Sequence, residues 1–326
     1  MDALSELLRV VKLNGALFFD AQCSAPWCVH SPPSTTLGRY LGAPEGHVIE
    51  FHFIADGRGY IRVGSETTPL AGGDIVIIPH GDAHYMGNGL AADVIDGTNA
   101  VPLLLSGEVR QPSFGGGGEV TRLICGYLAC EAQLVTPLLA ALPRVVRVPL
   151  CSDAYGRSLE QMIRHALDQP LAELPGSQVI IARLAEVLFV EALRRYVMSL
   201  PPQRSGWLAG AADPAVGRAL AQLHQRPAHP WTVDGLAADV GLSRSSLTER
   251  FTRYLGQGPM AYLTDWRLEL AAEALRTTSR SVLTIAGDVG YESEAAFNRA
   301  FKRRFSLPPA RYRKAQRQPS TTSSEA

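Results

Sequence analysis

The chain reads as an α+β multidomain protein, with a β-rich N-terminal half and an all-α C-terminal third. Three observations predict this. Short apolar or alternating segments with glycine breaks fill residues from about 15 to 130. After Pro149, apolar residues recur at helical spacing instead. The last third then repeats itself at an offset of 50 residues: Ser243, Leu247, Phe251, Gly256, Pro259, Tyr262 and Arg267 are echoed by Ser293, Phe297, Phe301, Ser306, Pro309, Tyr312 and Arg317. Solenoids and propellers need about three or more units to close a core. Two copies of helical character point instead to a duplicated helix-turn-helix.

Taken in order, residues 1–11 are amphipathic and mixed in charge, unlike a signal peptide. Strands are expected at 48–53, 59–63, 74–78 and 120–128, separated by glycine-bearing breaks at 56–57, 72–73 and 115–118. Many short strands with such punctuation suggest a small barrel or sandwich. Helices are expected at 157–167 and 178–198. The second carries Ile181, Leu184, Leu188 and Ala192 at helical spacing, a stripe that either packs on the strands of its own chain or pairs with its copy in a homodimer. Residues 199–212, rich in Pro and Gly, read as a linker, and the Ser/Thr-rich tail 318–326 as disordered. The expected organisation is therefore a β-rich domain with trailing helices at 1–198, the linker, and a helical domain at 213–317.

Charge supports that division. Lys plus Arg equal Asp plus Glu at 31 each, yet from Asp213 onward there are 16 basic and 11 acidic residues, and from Arg299 to Arg317 eight basic and no acidic ones. Such asymmetry points to a nucleic-acid or membrane contact made by one part only. No stretch approaches the roughly 20 apolar residues of a membrane span. Five cysteines, an odd number, argue against a disulfide framework and for a reducing cytoplasm.

In the first copy, 233–240 fits a short helix with Thr232 as its cap, Gly241 makes the turn, and Ser243 caps a second helix. Leu242, Leu247 and Phe251 face the core; Arg244, Ser245, Thr248, Glu249 and Arg250 are left to solvent. The second copy repeats this with 283–289, Gly290 and Ser293; Phe297 and Phe301 point inward, and Glu294, Ala295, Asn298, Arg299 and Lys302 outward. Between them, Pro259 opens a helix over 260–275 that would hold two heads apart. Major-groove faces recur about every 34 Å of duplex, one helical turn.

The stretches WTVDGLAADVGLSRSSLTERF, GPMAYLTDWRLELAAEAL, SVLTIAGDVGYESEAAFNRAFKRRF and LPPARYR resemble the AraC/XylS transcription regulators over about 100 residues. The resemblance implies a cytoplasmic, sequence-specific binder of double-stranded operator DNA that contacts RNA polymerase if it activates. Carried over by position, Ser245, Thr248 and Glu249 are the base-facing candidates of the first head, and Glu294, Ala295, Asn298 and Arg299 those of the second. Arg244, Arg253, Arg267, Lys302 and Arg303 suit phosphates, which accept charge without reporting sequence. The first head offers small or acidic residues where Arg or Gln would read bases directly.

Residues 73–88 (GDIVIIPHGDAHYMGN) resemble the second motif of cupin barrels, so the expected fold is a cupin-like β-barrel with flanking helices joined to a tandem helix-turn-helix domain. The first cupin motif is partial: Gly46 and His52 fit, Ile54 stands where a second histidine is usual, and no glutamate follows at the expected distance. His52, His84 and Asn88 are candidates for a pocket that binds a small-molecule effector. His52 and His84 with Cys125, or with Cys23 and Cys28, would offer the N and S ligands that suit zinc. Cys23 with Cys28, and Cys125 with Cys130, each pair with four residues between them, are redox candidates if accessible and of lowered pKa. The competing class is a metal-dependent cupin enzyme, an isomerase or dioxygenase, fused to a DNA-binding domain. The missing His and Glu, and the lack of a phosphate loop, HExxH or GxSxG, count against it.

Overall fold

The computed structural model describes residues 2–10, 19–38, 47–89, 93–98, 113–130, 138–168, 175–201 and 205–317; the tail expected to be disordered lies outside them. The chain forms two compact units, Val11–Leu200 and a second made of Met1–Val10 with Pro201–Ala326.

The first unit is built on two sheets. One has six strands in the order β11 (Val146–Pro149), β6 (Asp74–Ile78), β3 (His47–Asp56), β10 (Val120–Cys130), β1 (Phe19–Ser24), β9 (Ser113–Gly115). The other has five, in the order β5 (Glu66–Ala71), β4 (Arg58–Val63), β7 (His84–Asn88), β2 (Trp27–Ser31), β8 (Val94–Asp96). Side chains alternate across a strand. One face therefore sends Cys23, Ile54, Val76, Ile78, Leu123 and Cys125 into a shared core with Trp27, Ile61, Val63 and Met86 of the other sheet. Phe51, Phe53, Ile75, Ile77 and Ile124, at the intervening positions, are also fully or almost fully buried. This explains why β3 and β6 read as unbroken apolar runs rather than alternating ones.

After the short helix α2 (Ser34–Leu37) between β2 and β3, helices α3 (Ala154–Asp168) and α4 (Ser177–Ser199) follow the strands, and α4 packs on α3, β10 and β11. Ile181, Leu188 and Ala192 of α4 are buried and Leu184 is partly so. Of the two roles open to this stripe, packing within the chain is the one it fulfils, and it is not free to pair with a second copy. A different face of α4, bearing Val179, Ile180, Val187, Val190 and Met198, is exposed.

The second unit is helical: α5 (Trp207–Ala212), α6 (Pro214–Gln225), α7 (Val233–Asp239), α8 (Arg244–Leu255), α9 (Pro259–Thr277), α10 (Val282–Asp288), α11 (Glu294–Phe305) and α12 (Pro309–Arg317). Half of the expected linker is thus structured. Trp207 and Leu208 are buried, and the Trp207 indole N–H donates to the Tyr262 hydroxyl at 2.9 Å. Aromatic burial outweighs the local Pro/Gly signal. Helix α1 (Ala3–Val10) belongs to this unit as well, packing on α6 and α5 with Ala3 and Leu7 fully buried. Leu7→Ala should therefore destabilise the helical unit by about 2–5 kcal/mol, seen as an earlier thermal transition of the helical signal; an unchanged transition would place α1 outside the core.

Candidate nucleic-acid interface and effector site

Four short side chains start the helices of the two heads. Thr232 accepts from Gly235 N at 3.0 Å, Ser243 from Ser246 N at 3.2 Å, Ser281 from Thr284 N at 3.0 Å, and Ser293 from Ala296 N at 3.4 Å. Each satisfies an N–H left unpaired at a helix start. The turns match too: Leu242 N donates to Ala237 O, and Tyr291 N to Ala286 O, both at 2.9 Å. Leu247 and Phe251 anchor α8, and Phe297 and Phe301 anchor α11, all fully buried. With those faces spent on the core, Ser245, Thr248 and Glu249 of α8 and Glu294, Ala295 and Arg299 of α11 are exposed, with Asn298 half-buried.

The two faces differ in charge. On α8, Arg244 is already engaged by Asp234 at 3.2 Å, and Arg253 lies over the Tyr254 ring. On α11, Arg299, Lys302 and Arg303 are exposed and form no ion pair with another described residue. Beside them lies a cavity of about 440 Å³ lined by Val282, Glu294, Asn298, Arg299, Lys302 and Pro308. Arg267 corrects the expectation that it meets phosphate. It is half-buried, and its guanidinium donates to the carbonyls of Pro227 at 2.7 Å and His229 at 2.9 Å. Two backbone acceptors occupy the charge that an incoming phosphate would need.

In the β unit, the site residues converge from both sheets. His52 on β3 stands opposite Cys125 on β10 in the sheet register. His52 Nδ1 lies 2.8 Å from Cys125 Sγ, and His52 Nε2 lies 2.9 Å from His84 Nε2 on the other sheet. His84 Nδ1 contacts the Asp82 carbonyl at 3.0 Å. A carbonyl only accepts, so His84 carries its proton on Nδ1 and offers a lone pair at Nε2. His52 then donates from Nε2 and accepts from the Cys125 thiol at Nδ1. Two neutral imidazoles satisfy every hydrogen bond in this chain. Desolvation acts in the same direction, holding His52 well below the usual histidine range and His84 at about 4.

Glu50 is the member the sequence reading missed. It sits two residues before His52, on the same strand face, accepts from Ser31 Oγ at 2.9 Å, and leaves its other oxygen buried without a partner among the described residues. Burial pushes it up to about 7. The i, i+2 spacing within the expected 48–53 strand was the available signal. One ligand atom each from Glu50, His52 and His84 all lie within 4.8 Å of one another. Cys125 is therefore replaced in the candidate metal set, because it faces the far nitrogen of His52, where it supports the ring rather than sharing an ion. Asn88 lies four residues beyond His84 on β7, its amide nitrogen buried and without a partner among the described residues.

Burial works against redox response at the candidate thiols. Cys23, Cys28, Cys125 and Cys130 are buried. Burial pushes Cys23 up to about 12 and Cys125 well above its ordinary value. Cys125 and Cys130 are five positions apart on β10, hence on opposite faces and about 16 Å apart along the strand, too far to bridge.

Two cupin-type sheets and a tandem helix-turn-helix domain on one chain define a DNA-binding transcription regulator. Residues 2–198 match the family model of the cupin domain, and 236–315 that of a helix-turn-helix domain. An AraC-like transcription regulator of Streptomyces antibioticus is 34% identical over 96% of this chain and 99% of its own. The HTH-type transcriptional regulator AlkR of Acinetobacter baylyi is 30% identical over 96% and 99%. Among solved structures, the DNA-binding domain of the global transcriptional factor AdpA, in complex with a target DNA, is 32% identical over 32% of this chain and 95% of its own, with a TM-score of 0.31. The chain belongs to the AraC-like transcriptional regulators. No described helix is long and apolar enough to cross a membrane.

Proposed function

We propose that α8 and α11 are the reading helices of an effector-responsive, cytoplasmic, dimeric regulator that does not act as an enzyme and that engages RNA polymerase where it activates. The observation that carries this reading is the exposure of Arg299, Lys302 and Arg303 on a helix whose opposite face is locked by Phe297 and Phe301. A genome-wide map of bound sites tests it. Two protected segments about one helical turn apart, upstream of a coherent gene set, support the reading; scattered binding without a motif removes it.

Dimerisation is assigned to the exposed face of α4, where Ile180 and Val187 are 57% and 42% exposed and seven residues apart. Val187→Asp should leave the fold intact and convert the protein to a monomer in sedimentation. A dimer that survives the change would move the interface elsewhere.

The effector site is assigned to the space around His52, His84 and Asn88. Trp27 Nε1, Asn88 Nδ2 and Glu50 Oε1 are buried polar atoms without a partner among the described residues, and such groups are costly to leave unpaired. A zinc ion is the second reading, favoured by the unpartnered Glu50 oxygen beside two imidazoles. Glu50, His84 Nε2 and, after its proton shifts to Nδ1, His52 Nε2 would hold it, and the ion would supply charge that pins the two sheets together. Zinc at 100 times its dissociation constant should raise stability by about 2.7 kcal/mol, and His84→Ala should abolish the gain. A wild-type melting curve indifferent to zinc would end this reading.

A further inference from the structure

Gly241 and Gly290 occupy equivalent turns of the two heads, and both have left-handed backbones, with φ of +74° and +86°. Their surroundings differ. A methyl group at Gly241 would meet open space. At Gly290 it would lie 2.8 Å from Ala228 Cα, 2.9 Å from the Ala228 carbonyl oxygen and 2.9 Å from Arg267 Nη2. Ala228 belongs to the connection between α6 and α7 that leads into the first head. Gly290 is the turn of the second head. Arg267, on the helix between them, holds that same connection through the carbonyls of Pro227 and His229.

We propose that Gly290, Ala228 and Arg267 form a joint that fixes the distance and angle between the two heads, and so sets the base-pair separation of the two DNA segments the protein accepts. The inference rests on α8 and α11 being the reading helices. A 19-residue helix alone holds each head only at one end. A second, non-covalent closure between the heads removes the remaining hinge, and close packing tolerates little displacement. Duplex DNA turns once per 10–10.5 base pairs, so one inserted pair rotates the second segment by about 35° and moves it by about 3.4 Å. Heads clamped together cannot follow that displacement and lose the gain from simultaneous engagement.

The test uses the full chain and a duplex enriched from a random library by that chain. Affinity is measured on this duplex and on versions with one or two base pairs inserted between the two protected segments. The wild type should lose about tenfold or more per inserted pair. Arg267→Ala and Gly290→Ala should shrink that ratio at least about threefold, whereas Gly241→Ala, with the same backbone strain but no contact, should weaken all spacings alike. Arg267→Lys keeps the charge without the fork and should fall between wild type and Arg267→Ala, which keeps the test available if Gly290→Ala does not fold. A wild type indifferent to spacing, an Arg267→Ala protein with the wild-type ratio, or equal effects of both glycine substitutions would each overturn the joint. A single protected segment on the wild-type footprint would instead sink the two-head reading, and the role of the joint with it.

Discussion

Replacing Phe301 by alanine is expected to destabilise the second head by about 3–5 kcal/mol and to abolish specific DNA binding. Phe301 is fully buried and touches Phe297, Phe305 and Tyr312, with ring centroids 5.5, 4.5 and 5.3 Å away. Its loss removes the anchor shared by α11 and α12, along with an edge-to-face contact to Tyr312 that adds to simple burial. A domain of this size has few kcal/mol to spare. Chemical unfolding followed by circular dichroism would show the shift, and binding to an enriched duplex would show the consequence. A variant with wild-type stability would mean that the second head is held by α9 and α10 alone.

The second large effect concerns recognition. Arg299→Ala should cost about 1–3 kcal/mol on a specific site and relax base preference there, whereas Lys302→Ala should weaken binding to every sequence and flatten its salt dependence. Both residues are exposed and line the same cavity on α11. They differ in place along the helix: Arg299 is nearer the N-terminal half that enters a groove, and Lys302 lies in its last turn. Salt titrations of both variants on specific and scrambled duplexes would separate the roles. Equal loss of specificity in the two would overturn the assignment.

The second head is expected to contribute the larger share of binding. The first head presents Ser245, Thr248 and Glu249, and its Arg244 faces Asp234 at 3.2 Å, so weaker direct readout and more water-mediated contact are expected there. The duplicated scaffold also diverges at its turns and ends. Gly256 ends α8 with φ +72°, while Ser306 ends α11 at φ +61°, a conformation that costs a side-chain-bearing residue and was visible in the repeat as a Gly-to-Ser change.

What could be read from the residues alone follows from short-range physics. Capping serines, left-handed glycines, the 3.6-residue spacing of Leu247 with Phe251, and the apolar strands around 48–53 and 74–78 all express preferences of a few neighbouring residues. They therefore gave the two heads, their exposed faces and the β-rich half, whereas the pairing of His52 with His84 came from the resemblance to the cupin motifs. What only the tertiary structure decided depends on which distant segments touch. Cys125 and Glu50 are equally plausible ligands until strand register puts one behind His52 and the other beside it. Arg267 is an ordinary basic residue until two carbonyls from the 226–232 connection fold onto it. Trp207 and Leu7 look like linker and N-terminal extension until the helical core closes over them. Gly241 and Gly290 share one sequence pattern and one backbone angle, yet only the packing of one head on the approach to the other tells them apart, because excluded volume is a property of neighbours that the local sequence does not contain.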